Sequence, residues 1–342
     1  MTGPLTVALD AMGGDHAPRE TVAGAVEAAA TGDVRVLLCG PERVLLEELG
    51  GELPAGVDIV DAEQVIGSDE DPAFAVRAKP ESSLVQCCRA VREGGAVAAV
   101  SAGSTGAMMA ASLMHMRRIE GVLRPAIVQP LPCANGVVVL VDCGANADPR
   151  PEHLLQFAYM GAAFATAILN VRTPTIGLLS IGEEAGKGNA LTQETHALLA
   201  AADALDFRGN VEGRDIPRGT TDVVVCDGFT GNVTLKAMEG AAEFLMAEIR
   251  RAAHSSLKAK IGAGLFRSAL RPLRDKIDPE VYGGAYLLGL RGLSVIAHGS
   301  SSRVAIRNAI LHGAHGASND VVQRLTDQLG RGARAAAEAP AG

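Results

Sequence analysis

Apolar residues follow two rhythms along this chain. Short runs rich in Val, Leu, Ile and Ala at 5–10, 34–40, 57–61, 96–101, 126–131, 136–142, 174–181, 222–226 and 293–297 have the length of strands. Longer stretches at 18–30, 41–49, 81–93, 106–117, 151–169, 188–202, 231–254, 302–313 and 318–336 return to apolar residues every three or four positions and predict helices. Several strand runs lack polar alternation, as expected of strands covered on both faces. The pattern therefore predicts a mainly parallel sheet between two helix layers. Pro132-Cys133-Ala134-Asn135-Gly136 is too short for a crossover helix, so 126–142 predicts an antiparallel hairpin and the sheet is mixed. No compositional shift marks a linker. Residues 1–330 read as one α/β unit, and the Ala- and Gly-rich 331–342 as a flexible tail.

Composition narrows the function classes. A hydrophobic fraction of 48% over 342 residues supports a sizeable core. A net charge of −8, with 3% aromatics and no Trp, argues against a nucleic-acid surface, which needs a basic footprint and bases to stack on. Cys39, Cys87, Cys88, Cys133, Cys143 and Cys226 form no CxxC or paired metal spacing, and five lie in or beside apolar runs. That usage fits a reducing cytoplasm, as does a start that enters a strand with no signal peptide. The stretch 94–116 is long enough for a bilayer, but its middle, Ser101-Ala102-Gly103-Ser104-Thr105-Gly106, reads as a loop between a buried strand and a helix.

Polar residues collect where strands end. Asp10-Ala11-Met12-Gly13-Gly14-Asp15 follows the first strand, with two glycines between two carboxylates and Pro18 at the next helix start. Ser101–Gly106, Asp142–Asp148, Ile181–Asn189, Asp227–Asn232 and His298–Ser302 end five more strands. Gly103-Ser104-Thr105-Gly106 and Gly228-Phe229-Thr230-Gly231 share the pattern Gly-x-Thr-Gly. Ligands of open α/β sheets bind outside strand carboxyl ends, and helix N-termini favour anions. Six such loops, read as lying at one edge, predict a phosphate or oxyanion cradle. Each residue also has a plainer role: Ser, Thr and Asn are preferred helix caps, and strand-end aspartates bind loop amides. Lys187, flanked by glycines, either neutralises an anion or pairs with Glu183 or Glu184. His298 is either structural or catalytic. Cys143 reads as a buried thiol, with no histidine in its motif to activate it. GxGxxG with its distal acid, GxxxxGK[ST], GxSxG and HExxH are all absent, so no cofactor and no metal are expected.

Segment 250–276 is out of character for an acidic chain. Arg250, Arg251, Lys258, Lys260, Arg267, Arg271, Arg274 and Lys276 face one acid, Asp275, while Leu257, Ile261, Leu265, Phe266, Leu270 and Leu273 recur at helical spacing. The pattern predicts a basic amphipathic protrusion for an acidic partner or an anionic membrane, or a surface helix pair packed in the core or a dimer. Gly262 and Gly264 predict a helix–turn–helix rather than one long helix.

Val7–Pro18 resembles the opening signature of the fatty acyl-[acyl carrier protein]–phosphate acyltransferases, the PlsX family. Ser101–Ala107, Arg124-Pro125-Ala126, Asp142–Asn146 with Pro151–Leu154, Gly186–Asn189, Gly209–Ile216, Cys226–Asn232, Gly283–Gly289 and His298–Ser301 follow in family order, covering about 5–315. Cys143 and Tyr286 depart from the pattern, where small residues are usual, and His16 occupies a variable position. The resemblance implies the three-layer α/β/α fold of isocitrate and isopropylmalate dehydrogenases and of phosphotransacetylases, acting as a homodimer. It implies conversion of acyl-[acyl carrier protein] and inorganic phosphate to acyl phosphate and free carrier protein. The product would feed a membrane-bound glycerol-3-phosphate acyltransferase in phospholipid synthesis.

Phosphate is itself a nucleophile, so direct attack on the thioester needs no covalent enzyme intermediate. The expected phosphate holders are the Gly13 and Gly14 amides, Thr105, Gly106, Thr230, Gly231 and Lys187, with Ser104, Gly228 and Ser300 in the same loops. Asn146, Asn189 and Asn232 are candidate donors. Asp10, Asp15 and Asp227 are expected to organise the loops, and His298 to protonate the leaving thiolate. Arg267, Arg271, Arg274, Leu265 and Phe266 are expected to meet carrier protein or membrane. A non-catalytic membrane scaffold and a short-chain phosphotransacetylase using coenzyme A are the rival readings.

Overall fold

The computed structural model describes residues 3–277 and 279–338, without the side chains at 267, 270, 272–275, 277, 279 and 330–338. One eleven-stranded sheet crosses the molecule in the order β3-β2-β1-β4-β11-β10-β5-β6-β9-β7-β8. Its strands are β1 (Leu5–Asp10), β2 (Val34–Gly40), β3 (Val57–Asp61), β4 (Ala98–Ser101), β5 (Ala126–Cys133), β6 (Gly136–Val141), β7 (Thr175–Leu179), β8 (Asp206–Val211), β9 (Val223–Val225), β10 (Ala285–Leu288) and β11 (Leu293–Ile296). The helices are α1 (Arg19–Ala29), α2 (Glu42–Glu48), α3 (Pro72–Ala78), α4 (Ser83–Arg92), α5 (Thr105–His115), α6 (Pro151–Ile168), α7 (Ala190–Ala200), α8 (Gly228–Ala253), α9 (Leu257–Ile277), α10 (Arg303–Ser318) and α11 (Val321–Glu338). Residues 339–342 of the expected tail lie outside the described residues.

Side-chain alternation within strands feeds two cores, which is why the strand runs are apolar throughout. Val7 and Leu9, Val139 and Val141, and Val223 and Val225 pack with α1, α6, α10 and α11 on one face. Ala8, Val138, Leu140 and Val224 pack with α4 and α5 on the other. Phe157, Phe164 and Met160 of α6 are fully buried, each contributing about 1.5–3 kcal/mol relative to exposure. The expected hairpin forms, with Val128 opposite Val141 and Cys133 opposite Gly136.

Two features differ from the sequence reading. First, the sheet reverses at its centre. β10 runs antiparallel to both β11 and β5, and β5 antiparallel to β6, while strands outside this centre pair in parallel. The carboxyl ends of β1, β4 and β11 therefore lie at one edge and those of β6, β7 and β9 at the other, so the six loops do not share an edge. Second, the turn in the basic segment falls at His254-Ser255-Ser256, and α9 continues through Gly262 and Gly264. The Ser256 hydroxyl accepts from Ala259 N–H at 3.1 Å and starts α9. A Cβ at either glycine would meet only open space, so neither has a packing reason to break the helix.

Tyr286, the departure in the Gly283–Gly289 motif, belongs to the core. Its ring meets Phe164 edge-on at 5.0 Å between centroids, and its hydroxyl donates to His312 O at 2.6 Å. Burial pushes its phenol pKa up. Tyr286→Phe should lower unfolding stability by about 1 kcal/mol through the lost hydrogen bond, measured by urea denaturation.

Candidate active site

The loops after β1, β4 and β11 lock onto one another. Asp10 is 3% exposed, and its Oδ2 accepts from Ser101 Oγ at 2.7 Å. Ser101 Oγ in turn accepts from Gly103 N–H at 3.0 Å. Gly13 passes so close that a Cβ there would lie 2.5 Å from Asp10 Oδ2 and 2.9 Å from Gly103 N. Gly14 has φ +113°, and Asp15 N–H donates to Gly299 O at 2.8 Å. Burial pushes the Asp10 carboxyl pKa up, against the hydrogen bond from Ser101. Ser104 caps α5, accepting from Ala107 N–H at 3.4 Å. Ser300 donates its N–H to His298 Nδ1 at 3.2 Å, with its hydroxyl 2.8 Å from the same atom. A backbone N–H can only donate, so the neutral His298 ring carries its proton on Nε2.

The loops after β6 and β9 form a second cluster, built on Asp142. This carboxylate is fully buried and takes five hydrogen bonds. Ile127, Gly144 and Ala145 N–H groups reach Oδ1 at 3.0, 3.1 and 3.0 Å, and Asn146 N–H and Nδ2 reach Oδ2 at 2.7 and 2.8 Å. Burial pushes its pKa up and the hydrogen bonds oppose that. The start of α8 presses onto this loop: a Cβ at Gly231 would stand 1.8 Å from Asp142 O, and one at Gly228 2.7 Å from Asn146 O. Asp227 caps α8 by accepting from Thr230 N–H at 2.8 Å and Thr230 Oγ1 at 2.7 Å. Asn232 Nδ2 donates to Cys143 O at 3.2 Å. Burial pushes the Cys143 thiol well up, away from nucleophilic thiolate.

A groove of about 760 Å³ crosses the sheet face between the clusters. Of the expected residues it gathers Thr105, Asn232, His298 and Ser300. Its other polar lining comes from Gln129, Lys236, Glu239, Glu243, Glu280 and Ser301, and apolar side chains of Ile127, Leu235, Ala285 and Ile296 contribute to its wall. Lys236 is ion-paired with Glu239 at 2.7 Å. The α8 residues Asn232, Lys236, Glu239 and Glu243 are spaced four, three and four apart, so they share one helix face. That spacing was the signal available in the sequence. Asp10, Gly13, Gly14, Asp15, Ser104, Gly106, Asn146, Asp227, Gly228, Thr230 and Gly231 sit in the supporting loops behind the lining. Lys187 and Asn189 lie on the β7–α7 loop outside it. Lys187 is exposed, and Asn189 caps α7 through Thr192 N–H at 2.9 Å.

A family model described as fatty acid synthesis protein matches residues 5–324. The chain belongs to the PlsX family. Curated relatives of this PlsX-family chain are named phosphate acyltransferase. One from Desulfitobacterium hafniense is 48% identical over 96% of this chain and 98% of the relative. One from Thermobifida fusca is 47% identical over 98% and 93%. The protein is accordingly an acyltransferase of fatty-acid and phospholipid synthesis, with phosphate as its acyl acceptor. A phosphotransacetylase structure from Streptococcus pyogenes superposes with a TM-score of 0.63 at 18% identity, covering 92% of this chain and 94% of that one. 4-Hydroxythreonine-4-phosphate dehydrogenase from Klebsiella pneumoniae gives 0.56 at 12% identity, covering 91% and 100%. Both share the fold.

The first cluster is tied to α1 by Glu20, whose carboxylate holds the Arg303 guanidinium at 2.8 Å and Arg303 N–H at 2.9 Å. Those hydrogen bonds draw the Glu20 pKa from 4.5 to about 2. The stabilisation it supplies should be complete above pH 4.5 and disappear as pH falls through about 2. Glu20→Gln should remove this part of the acid sensitivity, read as a flatter denaturant midpoint between those limits.

Proposed function

We propose that the groove transfers an acyl group from acyl carrier protein to inorganic phosphate by direct attack, with no covalent enzyme intermediate. The observation that carries the reading is the set of hydrogen-bonding groups gathered on the groove's β4/β11 side. Gly103, Thr105, His298, Ser300 and Ser301 line it there beside the α5 N-terminus. Glu239 and Glu243 reach the groove from α8, and Glu280 from the segment before β10. Phosphate therefore takes the β4/β11 end, held by Thr105 and the α5 N-terminus, with Gly13, Gly14, Gly106 and Ser104 shaping the cradle. The acyl thioester lies along Ile127, Leu235, Ala285 and Ile296.

In that pose phosphate oxygen forms the bond to the thioester carbon while the tetrahedral oxyanion takes donors from the lining. Asn232 has a second Nδ2 hydrogen beyond the one given to Cys143 O, and supplies one such donor. Collapse expels the carrier-protein thiolate; His298 Nε2–H donates a hydrogen bond to the departing sulfur, and the proton that makes it a thiol is the one released by the attacking hydrogen phosphate. Asp10, Asp15, Asn146 and Asp227, with Gly228, Thr230 and Gly231, act by holding loops and helix starts. Lys187 and Asn189 are assigned to phosphate supply from outside the lining, and unchanged kinetics in Lys187→Ala would remove that role.

The α8–α9 hairpin supports two further assignments. On α9, Leu257, Ile261, Leu265 and Phe266 are exposed beside exposed Lys258, Lys260 and Arg271, a face suited to an anionic bilayer and close to the membrane-bound acyltransferase that would use the product. Among the described residues no helix is long and apolar enough to cross a membrane, so attachment would be peripheral. Phe244, Leu245 and Ile249 of α8 are also exposed and are assigned to a second copy of the chain. The side chains of Arg267 and Arg274 lie outside the described residues.

Incubation with a long-chain acyl carrier protein thioester and phosphate should yield acyl phosphate. Product from acyl coenzyme A alone would favour a short-chain phosphotransacetylase, and no product from either would favour a non-catalytic scaffold. Thr105→Val should raise the KM for phosphate by roughly 10–10²-fold, the usual loss for one hydrogen bond to a charged group. Leu265→Glu with Phe266→Glu should abolish flotation with anionic vesicles while leaving turnover of soluble substrate intact.

A further inference from the structure

A second concavity lies away from the groove, and its chemistry is cationic. It holds about 250 Å³ and is lined by Val91, Arg92, His115, Met116, Arg117, Arg291 and Gly292, with no carboxylate among them. Arg92 ends α4, His115 ends α5, Arg117 follows it, and Arg291 sits in the β10–β11 turn. None of the three guanidiniums is ion-paired among the described residues, whereas neighbouring Arg89 pairs with Glu81 at 3.0 Å.

The backbone builds this site. Arg117 has φ +61°, a left-handed conformation unusual for a non-glycine residue. It is held there by Arg291 N–H donating to Arg117 O at 3.0 Å and by the bridge between Arg118 and Leu290. Arg291 Nε donates to Arg118 O at 3.1 Å, which fixes the guanidinium and leaves its two terminal nitrogens for another acceptor. Gly292 brings the turn against the helix ends: a Cβ there would lie 2.7 Å from Val91 Cγ1 and 3.0 Å from Met116 Sδ.

Helix-end attraction alone does not account for the charge. Two helix C-termini supply about −0.5 each, so three guanidiniums leave roughly +2 unbalanced. Burial and the nearby Arg89 and Arg92 hold His115 below its usual range, so at neutral pH it is an uncharged donor or acceptor. A dianion with several acceptor oxygens matches this set, because forked guanidinium contacts suit phosphate oxygens.

We infer that the Arg92–Arg117–Arg291 concavity is a second anion site, separate from the groove, that takes a phosphate dianion, either free or as a small phosphomonoester. Two elements that line it also reach the groove. α5 carries His115 at the concavity and Thr105 in the groove, and the β10–β11 turn carries Gly292 at one and leads through β11 to Ile296 and His298 at the other.

Calorimetric titration of the full chain in low-salt buffer, with inorganic phosphate and separately with glycerol 3-phosphate, tests this assignment. Wild type should bind one more equivalent of at least one probe than Arg92→Ala/Arg291→Ala does, or bind it about tenfold more tightly. Loss confined to inorganic phosphate identifies free phosphate as the occupant, and loss of glycerol 3-phosphate a phosphomonoester. Thr105→Val/His298→Ala should leave this binding in place, which separates it from failure of the proposed active site. Arg92→Lys/Arg291→Lys keeps the charge but not the fork, and should weaken binding with the fold preserved. Unchanged binding in both arginine variants, or binding lost only in the groove variant, overturns the proposal.

Discussion

The reversal of strand direction at the sheet's centre is the constraint on which the rest of the site depends. β10 and the β5–β6 hairpin turn a pair of parallel half-sheets head to tail. Each half presents its own carboxyl-end loops, so no single edge collects all the polar residues. The reversal leaves instead a groove across the sheet face, with one loop cluster at each end. Under the proposed reading, phosphate and the acyl donor approach from different directions, which a single-edge cradle would not provide.

Each cluster is organised by a buried aspartate. Asp10 ties the β1 and β4 loops through Ser101, and Asp142 gathers five donors from its own loop and from β5. Taking a carboxylate out of water is costly unless its lone pairs are met by donors. Asp142 meets that condition almost entirely through hydrogen bonds. Asp10 meets it less fully: Oδ1 is buried without a hydrogen-bond partner. The first cluster therefore holds the less fully satisfied carboxylate of the two. Glycines complete the arrangement, since Gly13 and Gly231 sit where any Cβ would strike a carboxylate oxygen or backbone.

Much of the fold was legible because parallel, doubly covered strands leave unbroken apolar runs. The strands that escaped notice lack that signature. β8 reads Asp-Phe-Arg-Gly-Asn-Val and pairs on one side only, while β10 has four residues between glycines. α3 is seven residues long and is set by its cap, with Asp71 accepting from Phe74 N–H at 2.8 Å, rather than by periodicity. At the site, loop chemistry located the clusters and their capping residues. It could not reveal that α8 contributes a whole face, because Lys236, Glu239 and Glu243 look like ordinary helix-surface charges until the groove beside them is known.

Charge placement also separates the molecule's anion-facing surfaces from its overall balance. The chain is acidic, yet Arg92, Arg117 and Arg291 converge on one concavity, and Lys258, Lys260 and Arg271 share α9 with exposed apolar side chains. At physiological ionic strength fields fall off over about 8 Å. A net charge of −8 spread over the rest of the surface therefore does little to weaken either group locally. It still disfavours nonspecific adhesion to polyanions. Local basic groups on an acidic body thus favour anions that fit a shaped site over extended ones that only need charge.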